Sequence, residues 1–373
     1  MQQTNHLPTV QEGKINVIID LQWGSTGKGV ISRYLAEKDD IDLAICNFSP
    51  NSAHTSVEDD GTEYIFKQMP QPAALVDRGA DIDLWIGADA CINIDVLTAE
   101  LEKYPNCAKK LRIHPNASII TEDCIEYERQ NLVRISSTLQ GTSAARAMKI
   151  MRKPEVVLAK DHPYTKEFVL QSMNENLIVS LAKGAKVLGD FHQGYELSVN
   201  SSFYPYCTSS TVNTAQFLAS FNMPPSALGS VVGTVRTYPI RVGNVKNDAG
   251  EQIGYSGDVY ADMEEYTWDQ ITEMSGSPSP LLEHTTLTKK VRRIFSFSHF
   301  AVRRAATVND VSHLFINFVN YLDHSVYGES DKDKVMGNAK IKEFVESVQN
   351  KCAVKVAYLG TGPKNSHVID LTQ

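Results

Sequence analysis

The chain predicts an α/β protein, a single domain on a large, mostly parallel central sheet with flanking helices. Three observations carry this. Short apolar strands alternate with segments of helical periodicity along the whole length. An apolar strand at 17–21 runs directly into a glycine turn and then a helix. No repeat, low-complexity linker or shift in composition divides the 373 residues, so 1–373 reads as one domain with a polar N-terminal tail of about residues 1–13.

The elements follow in order. After the first strand, "VISRYLAEK" places Ile31 and Leu35 at helical spacing. "DLAICNF" is a second short strand, followed by the polar "SPNSAHTS". "EYIFKQM" alternates like a strand and is stopped by Pro70 and Pro72. "DLWIGADACI" reads as strand then turn, and "NIDVLTAELEKY" as a helix capped by Asn93 or Asp95. "LRIHPNASII" and "AKVLGDF" are further strands, with "KEFVLQSMNENLIVSLAKG" helical between them. "YGESDKDKVMGNAKIKEFVESVQNK" predicts an exposed loop and amphipathic helix before a last strand, "CAVKVAYLG".

Composition narrows the class. Hydrophobic content of 42% with 21% charged residues is that of a soluble globular protein. The net charge of −8 argues against a general nucleic-acid or anionic-membrane binder, while a local basic cluster still allows a nucleotide. The six cysteines are scattered without metal spacing, which fits free thiols in a reducing compartment. The polar N-terminus has no apolar signal core, and no apolar run approaches the roughly 20 residues of a membrane helix. The expected location is the cytoplasm.

Several segments carry chemistry. "VIIDLQWGSTGKGV" presents Gly24, Gly27, Lys28 and Gly29 where a strand meets a helix. Backbone amides freed by glycines at a helix N-terminus hold anions, and a lysine adds a point charge. A Walker loop has four residues between its first glycine and its Gly-Lys, and this loop has two. By itself the loop is equally a tight turn with a surface lysine. Asn51, His54 and Thr55 follow the second strand, at the end where α/β sheets collect ligands. "RISSTLQGTS" brings Ser136, Ser137, Thr138, Thr142 and Ser143 around Gly141, as a phosphate loop or a helix cap. Gln193 and the run from Thr208 to Asn213 add polar groups. "TLTKKVRRIF" and "AVRRA" concentrate Lys289, Lys290, Arg292, Arg293, Arg303 and Arg304, either as a solvated face or as a carboxylate or phosphate site. "YLGTGPKNSH" ends a strand in a turn.

Taken in order, these segments resemble the adenylosuccinate synthetase family over some 340 residues. The family's Q-W-G-D-E-G-K-G stands opposite Gln22 to Gly29, and its N-A-G-H-T opposite Asn51 to Thr55. Y-P-Y-V-T-S-S matches Tyr204 to Ser210 with one change, R-V-G matches Arg241 to Gly243, and S-T-G-P matches Gly360 to Pro363. The resemblance implies a fold related to P-loop nucleoside triphosphatases and a C–N ligase. Such an enzyme joins aspartate to C6 of a purine nucleotide after a triphosphate has phosphorylated O6.

Carried over by motif, Gly24, Thr26, Gly27, Lys28, Gly29 and Thr55 hold the donor triphosphate. Gly360, Gly362, Pro363 and Asn320 hold its base. His54 is the general acid toward the transferring oxygen, and Gln193 serves the purine base. Asn51, Ser137, Thr138, Thr208 and Val242 bind the substrate monophosphate nucleotide, joined by Arg152 from the partner of a homodimer. Thr288, Lys290 and Arg292 take aspartate, within a loop where the family's T-T-G-R-R-R-R stands opposite Leu287 to Arg293. Magnesium is implied at Ser25 and the Ala53 carbonyl. Neither nucleic acid nor membrane is an expected partner.

Two positions depart from the family. Its catalytic Asp is Ser25 here, a poor base that leaves room beside purine C2 and can accept a hydrogen bond from a 2-amino group. Its donor-reading T-K-x-D stands opposite Asn317-Phe318-Val319-Asn320, and Asn320 both donates and accepts, which suits adenine. Both point to the phage-type 2-aminoadenylosuccinate synthase branch, which takes dGMP, aspartate and ATP toward 2-aminoadenine DNA. The expected site is then the host cytoplasm. An ordinary family member using IMP and GTP, and a nucleotide-binding homologue without catalysis, remain the alternatives. The non-Walker spacing speaks against a kinase or ATPase.

Overall fold

In the computed structural model, residues 9–247, 249–285 and 290–372 are described. Nine strands form the central sheet: β1 Lys14–Asp20, β2 Leu43–Cys46, β3 Asp83–Ile86, β4 Leu111–Ile113, β5 Lys186–Gly194, β6 Leu228–Arg236, β7 His313–Asn317, β8 Val356–Gly360 and β9 Val368–Asp370. Their order is β9-β8-β7-β6-β1-β5-β2-β3-β4, and only the β8–β9 pair is antiparallel. The predicted α/β class and mostly parallel sheet are thus observed.

The strands read as apolar runs because both faces are covered. Ile15, Val17 and Ile19 enter one core cluster with Ile45, Val187, Val231 and Ile316. Ile18, between them, enters the other with Ala44, Leu188, Val232 and Phe315. This period of two makes a one-residue slip of β1 exchange its faces. Burying a residue such as Ile18 stabilises the fold by roughly 1.5–3 kcal/mol.

Crossovers put helices on both faces and leave the carboxyl ends of the strands free to build a crevice. Asp20, Gly194, Arg236 and Asn317 are the last residues of β1, β5, β6 and β7: Asp20 pairs with Gly194 and Arg236 with Asn317, while β6 runs two residues past Thr234, the partner of Asp20. Helix α1, Lys28–Lys38, leaves this crevice from the glycine turn.

Local differences from the sequence reading have local causes. Asn93, rather than Asp95, caps the helix Ile94–Lys103, accepting from Val96 N at 3.1 Å. The expected helix near 166–184 breaks into a 3-10 turn, Thr165–Phe168, and a helix, Met173–Ala182. "LRIHPNASII" splits around Pro115, which lacks a ladder donor, into β4 and the two-residue strand Ser118–Ile119. β8 is not the last strand, because the three residues of β9 follow it. The expected tail is docked from Thr9 on: Val10 is fully buried, and its N–H donates to Asp39 at 2.8 Å. No helix among the described residues is long and apolar enough to cross a membrane.

Candidate active site

The crevice opens into a cavity of about 1210 Å³. That exceeds the roughly 300–1,000 Å³ common for one drug-sized ligand, so it has room for more than one substrate. Six lysines and arginines line it against four aspartates and glutamates, a local cationic excess in a chain of net charge −8.

The phosphate loop begins where β1 ends. Gly24 (φ 99°), Ser25 (φ 57°) and Gly27 (φ 87°) take left-handed backbone, which turns the chain so that α1 starts at Lys28. Gly27 is required, since a Cβ there meets Asn317 Nδ2 at 1.9 Å. At Gly29 a Cβ meets the Thr55 carbonyl oxygen at 2.4 Å, so the helix start packs directly on the segment carrying His54. Ser25 is exposed into the cavity, whereas the Thr26 side chain is fully buried beneath it. The Thr26 hydroxyl bonds Asp20 Oδ2 at 2.7 Å and Thr234 Oγ1 at 2.5 Å, so only its backbone is left for a ligand.

Asp20 is the residue that sequence reasoning passed over at this end. It is fully buried, accepts from Gln22 N at 2.7 Å and lies 3.6 Å from Lys28 Nζ. The signal was present: a carboxylate inside the run "VIIDL" is not left buried without a partner. Here its partners are the phosphate loop itself.

His54 opens the hairpin His54–Val57/Glu63–Phe66 and stands edge-on to Phe48 at 4.3 Å between centroids. Its Nδ1 lies 3.4 Å from Asp190 Oδ2 on β5, and its Nε2 has no protein partner. Asp190, 1% exposed, was expected only as part of a strand. Further along β5, His192 and Gln193 line the cavity. Burial, with Arg146, His54 and Lys28 adding their charges, pushes the His192 imidazole well below its ordinary pKa, so it is neutral.

Ser137 and Thr138 lie in a loop bounded by two left-handed residues, Ser136 (φ 54°) and Leu139 (φ 56°). Such strain persists only where the surroundings hold it, and it recurs at ligand loops. The N-terminus of the following helix, Thr142–Ile150, is already taken. Glu128 accepts from Gly141 N at 2.9 Å and Ser143 N at 2.7 Å. The amides of Gly141 and Ser143 are thus unavailable to an anion, and the Ser137 and Thr138 segment is what the loop presents to the cavity.

Of the basic run, Lys290 and Arg292 line the cavity. Arg293 is committed to Glu265 (2.6 Å), and Arg304 to Glu196 (2.8 Å). Thr288 and Lys289 lie outside the described residues. Arg241 is a scaffold group: it donates to the backbone oxygens of Tyr206, Ser256 and Asp258, and burial lowers its pKa to about 10. At the far end Phe318, Asn320, Gly362 and Pro363 line the wall. Gly360 lies behind it, where a Cβ meets Asn317 Oδ1 at 2.1 Å.

Asn51, Ala53, Thr55, Thr208 and Val242 complete the lining. Arg152 does not join it in its own chain. It is exposed, in left-handed backbone (φ 52°), beyond the end of the helix Thr142–Ile150.

Magnesium finds few protein donors here. No described group of three or more His, Cys, Asp or Glu is arranged to hold a metal. Asp20 is fully buried, leaving Ser25 and Ala53 among the oxygen-bearing residues that line the cavity at the loop. These donors fit an ion that arrives on a triphosphate and keeps most of its ligands from phosphate and water.

The adenylosuccinate synthetase family model matches residues 17–177 and 155–326. The chain is 34% identical to N6-succino-2-amino-2'-deoxyadenylate synthase of Vibrio phage phiVC8, covering 94% of this chain and 96% of that one. It is 32% identical to the protein of that name from Acinetobacter phage SH-Ab 15497, over 95% and 93%. The succinoaminodeoxyadenylate synthetase of cyanophage S-2L, solved with dGMP and dATP as an energy donor, superposes with a TM-score of 0.79 at 29% identity, over 96% of this chain and 95% of that one. With the phosphate loop, the histidine hairpin and the Ser/Thr loop gathered around one cavity, this match has a structural basis: the chain belongs to the adenylosuccinate synthetase family.

Proposed function

We propose that the enzyme joins L-aspartate to C6 of dGMP, converting ATP or dATP to its diphosphate and phosphate and yielding N6-succino-2-amino-2'-deoxyadenylate. The observation that carries this reading is Ser25, which meets the cavity with a small neutral hydroxyl where the family has a carboxylate. The names of the phage relatives and the ligands of the cyanophage structure support the same substrates.

In the first step purine O6 attacks the γ-phosphorus, the bond to the β,γ-bridging oxygen breaks, and the N1 proton is lost. In the second the aspartate amine attacks C6 and phosphate leaves. Lys28 and the loop amides orient the triphosphate, since phosphoryl transfer depends mainly on positioning and charge stabilisation. Asp190 holds the His54 ring, leaving Nε2 to manage a proton at the transferring oxygen. Ser137, Thr138 and Thr208 take the monophosphate, Gln193 and Asn51 the purine side, and Val242 the sugar. Asn320 reads the donor base, and Lys290, Arg292 and Thr288 take the aspartate carboxylates. Ser25 and Ala53 would help hold a magnesium ion brought in with the triphosphate, which would supply charge neutralisation to the transferring phosphate.

A homodimer completes the monophosphate site with Arg152 of the second copy. Its support is the apolar surface around Arg152: Ile150 is 78% exposed and Met151 57%, an unusual pair to leave in water. Aspartate-dependent phosphate release, with product mass, is to be measured for dGMP, GMP, dIMP and IMP against ATP, dATP and GTP. Succinylated product from dGMP with an adenine donor is expected; product from IMP alone overturns the reading.

A further inference from the structure

Glu283 sits between two guanidinium groups. It accepts from Arg236 Nη1 at 3.1 Å and from Nη2, takes the Tyr321 hydroxyl at 2.9 Å, and lies 3.7 Å from Arg292 Nη1. Arg236 is fully buried at the end of β6. It donates to the Ser25 carbonyl at 3.3 Å and stacks on the Phe318 ring at 4.1 Å. A continuous polar chain therefore runs from Arg292 through Glu283 and Arg236 to the left-handed Ser25 of the phosphate loop.

Two cations in one poorly hydrated wall repel each other, and each loses hydration. Burial, aided by the charge of Arg236, pushes Arg292 below its usual pKa, and Glu283 opposes this. Burial acts upward on the Glu283 carboxyl, but Arg236 holds it below its ordinary value, so it stays ionised. The trio keeps one net positive charge at the cavity wall, the sign that a dicarboxylate requires.

We infer that Glu283 is a positioning residue for the amino-acid subsite, presenting the Arg292 fork to the substrate carboxylates and tying it to the phosphate loop. This rests on the aspartate reading above. With the Glu283 charge removed, Arg292 keeps the hydrogen bond from its Nε to the His284 carbonyl at 3.1 Å but is repelled by Arg236 at the Nη end of its fork, so aspartate affinity falls most, while the monophosphate loop of Ser137 and Thr138 lies outside this chain of contacts.

The test is steady-state kinetics on the full chain. Glu283→Gln is expected to raise the aspartate KM about tenfold or more, the scale of a lost charge-assisted contact, with the dGMP KM changed less than about twofold. Glu283→Asp, which keeps the charge, should recover part of that loss. Tyr321→Phe, which removes one hydrogen bond and no charge, should change the aspartate KM less than about threefold. If Glu283→Gln fails to fold, an aspartate KM for Glu283→Asp equal to wild type overturns the inference. So does an unchanged aspartate KM in folded Glu283→Gln, or an equal rise for all substrates. Wild-type turnover without any need for aspartate overturns the functional reading itself, and this inference with it.

Discussion

The Asp190 carboxylate lies 3.4 Å from His54 Nδ1, across two elements that are 136 residues apart in sequence. That contact sets the imidazole tautomer and ring angle and leaves Nε2 as the group without a protein partner. His54→Ala is expected to lower kcat by about 10²–10⁴ while nucleotide binding, followed by calorimetry, persists. Asp190→Asn should lower kcat with little change in any KM, because the amide supports the wrong tautomer. Equal activity in both variants would remove the pair from the chemistry.

Asp20 holds the phosphate loop from inside. Deleting it leaves Thr26 with one partner fewer and Lys28 as a buried cation 5% exposed. Asp20→Ala is expected to cost about 3–5 kcal/mol of stability, the range for breaking one side of a buried ion pair. Urea unfolding measures this directly. Saturating donor triphosphate should restore part of it, since the nucleotide offers Lys28 a new counter-charge.

Ser25→Asp restores a carboxylate at the exposed position of the loop. The expected outcome is a fall in dGMP turnover and a rise with IMP or dIMP, read from kcat/KM ratios. A variant that keeps the wild-type ratio would show that the purine is distinguished elsewhere.

Asn320→Asp places an acceptor-only group at the end of the cavity proposed to read the donor base, where Asn320 is 5% exposed. A buried carboxylate rewards guanine N1–H and N2–H and is left unpaired by adenine. Preference should move from ATP toward GTP. Competition between the two triphosphates is the direct assay.

His192 is buried neutral, with its folded pKa below its unfolded one. The unfolded state therefore binds the extra proton, so stability is lost as pH falls below the unfolded value of about 6.5. Relative to wild type, His192→Gln should show a pH-stability slope shallower by up to about 1.4 kcal/mol per pH unit in that window. Parallel slopes would mean that His192 is protonated in the folded protein.

The local and the distant divide cleanly here. The β1–loop–α1 unit was legible because its signals are contiguous: an apolar run, glycines at the turn, then helical spacing. Asn93 as a cap and the amphipathic helix Ala339–Cys352 follow the same rule. What escaped were groups whose meaning depends on a partner far along the chain. Asp190 reads as one more residue in a strand until His54 is brought to it. Glu283 reads as a loop acid until Arg236, 47 residues earlier, meets it. Glu128 turned the expected phosphate amides of the 141–143 turn into an occupied helix cap.

By itself, then, the sequence determined the fold class, the family and the motifs that gather at the cavity, because periodicity, turn chemistry and motif order are local properties of a chain. Tertiary structure decided which of those side chains face a ligand and which face one another. Parallel strands end together at one edge of the sheet, so Asp20 meets Gly194 and Thr234, and Arg236 meets Asn317, only when β1, β5, β6 and β7 pair. Buried charge must find opposite charge, and only the folded chain supplies it.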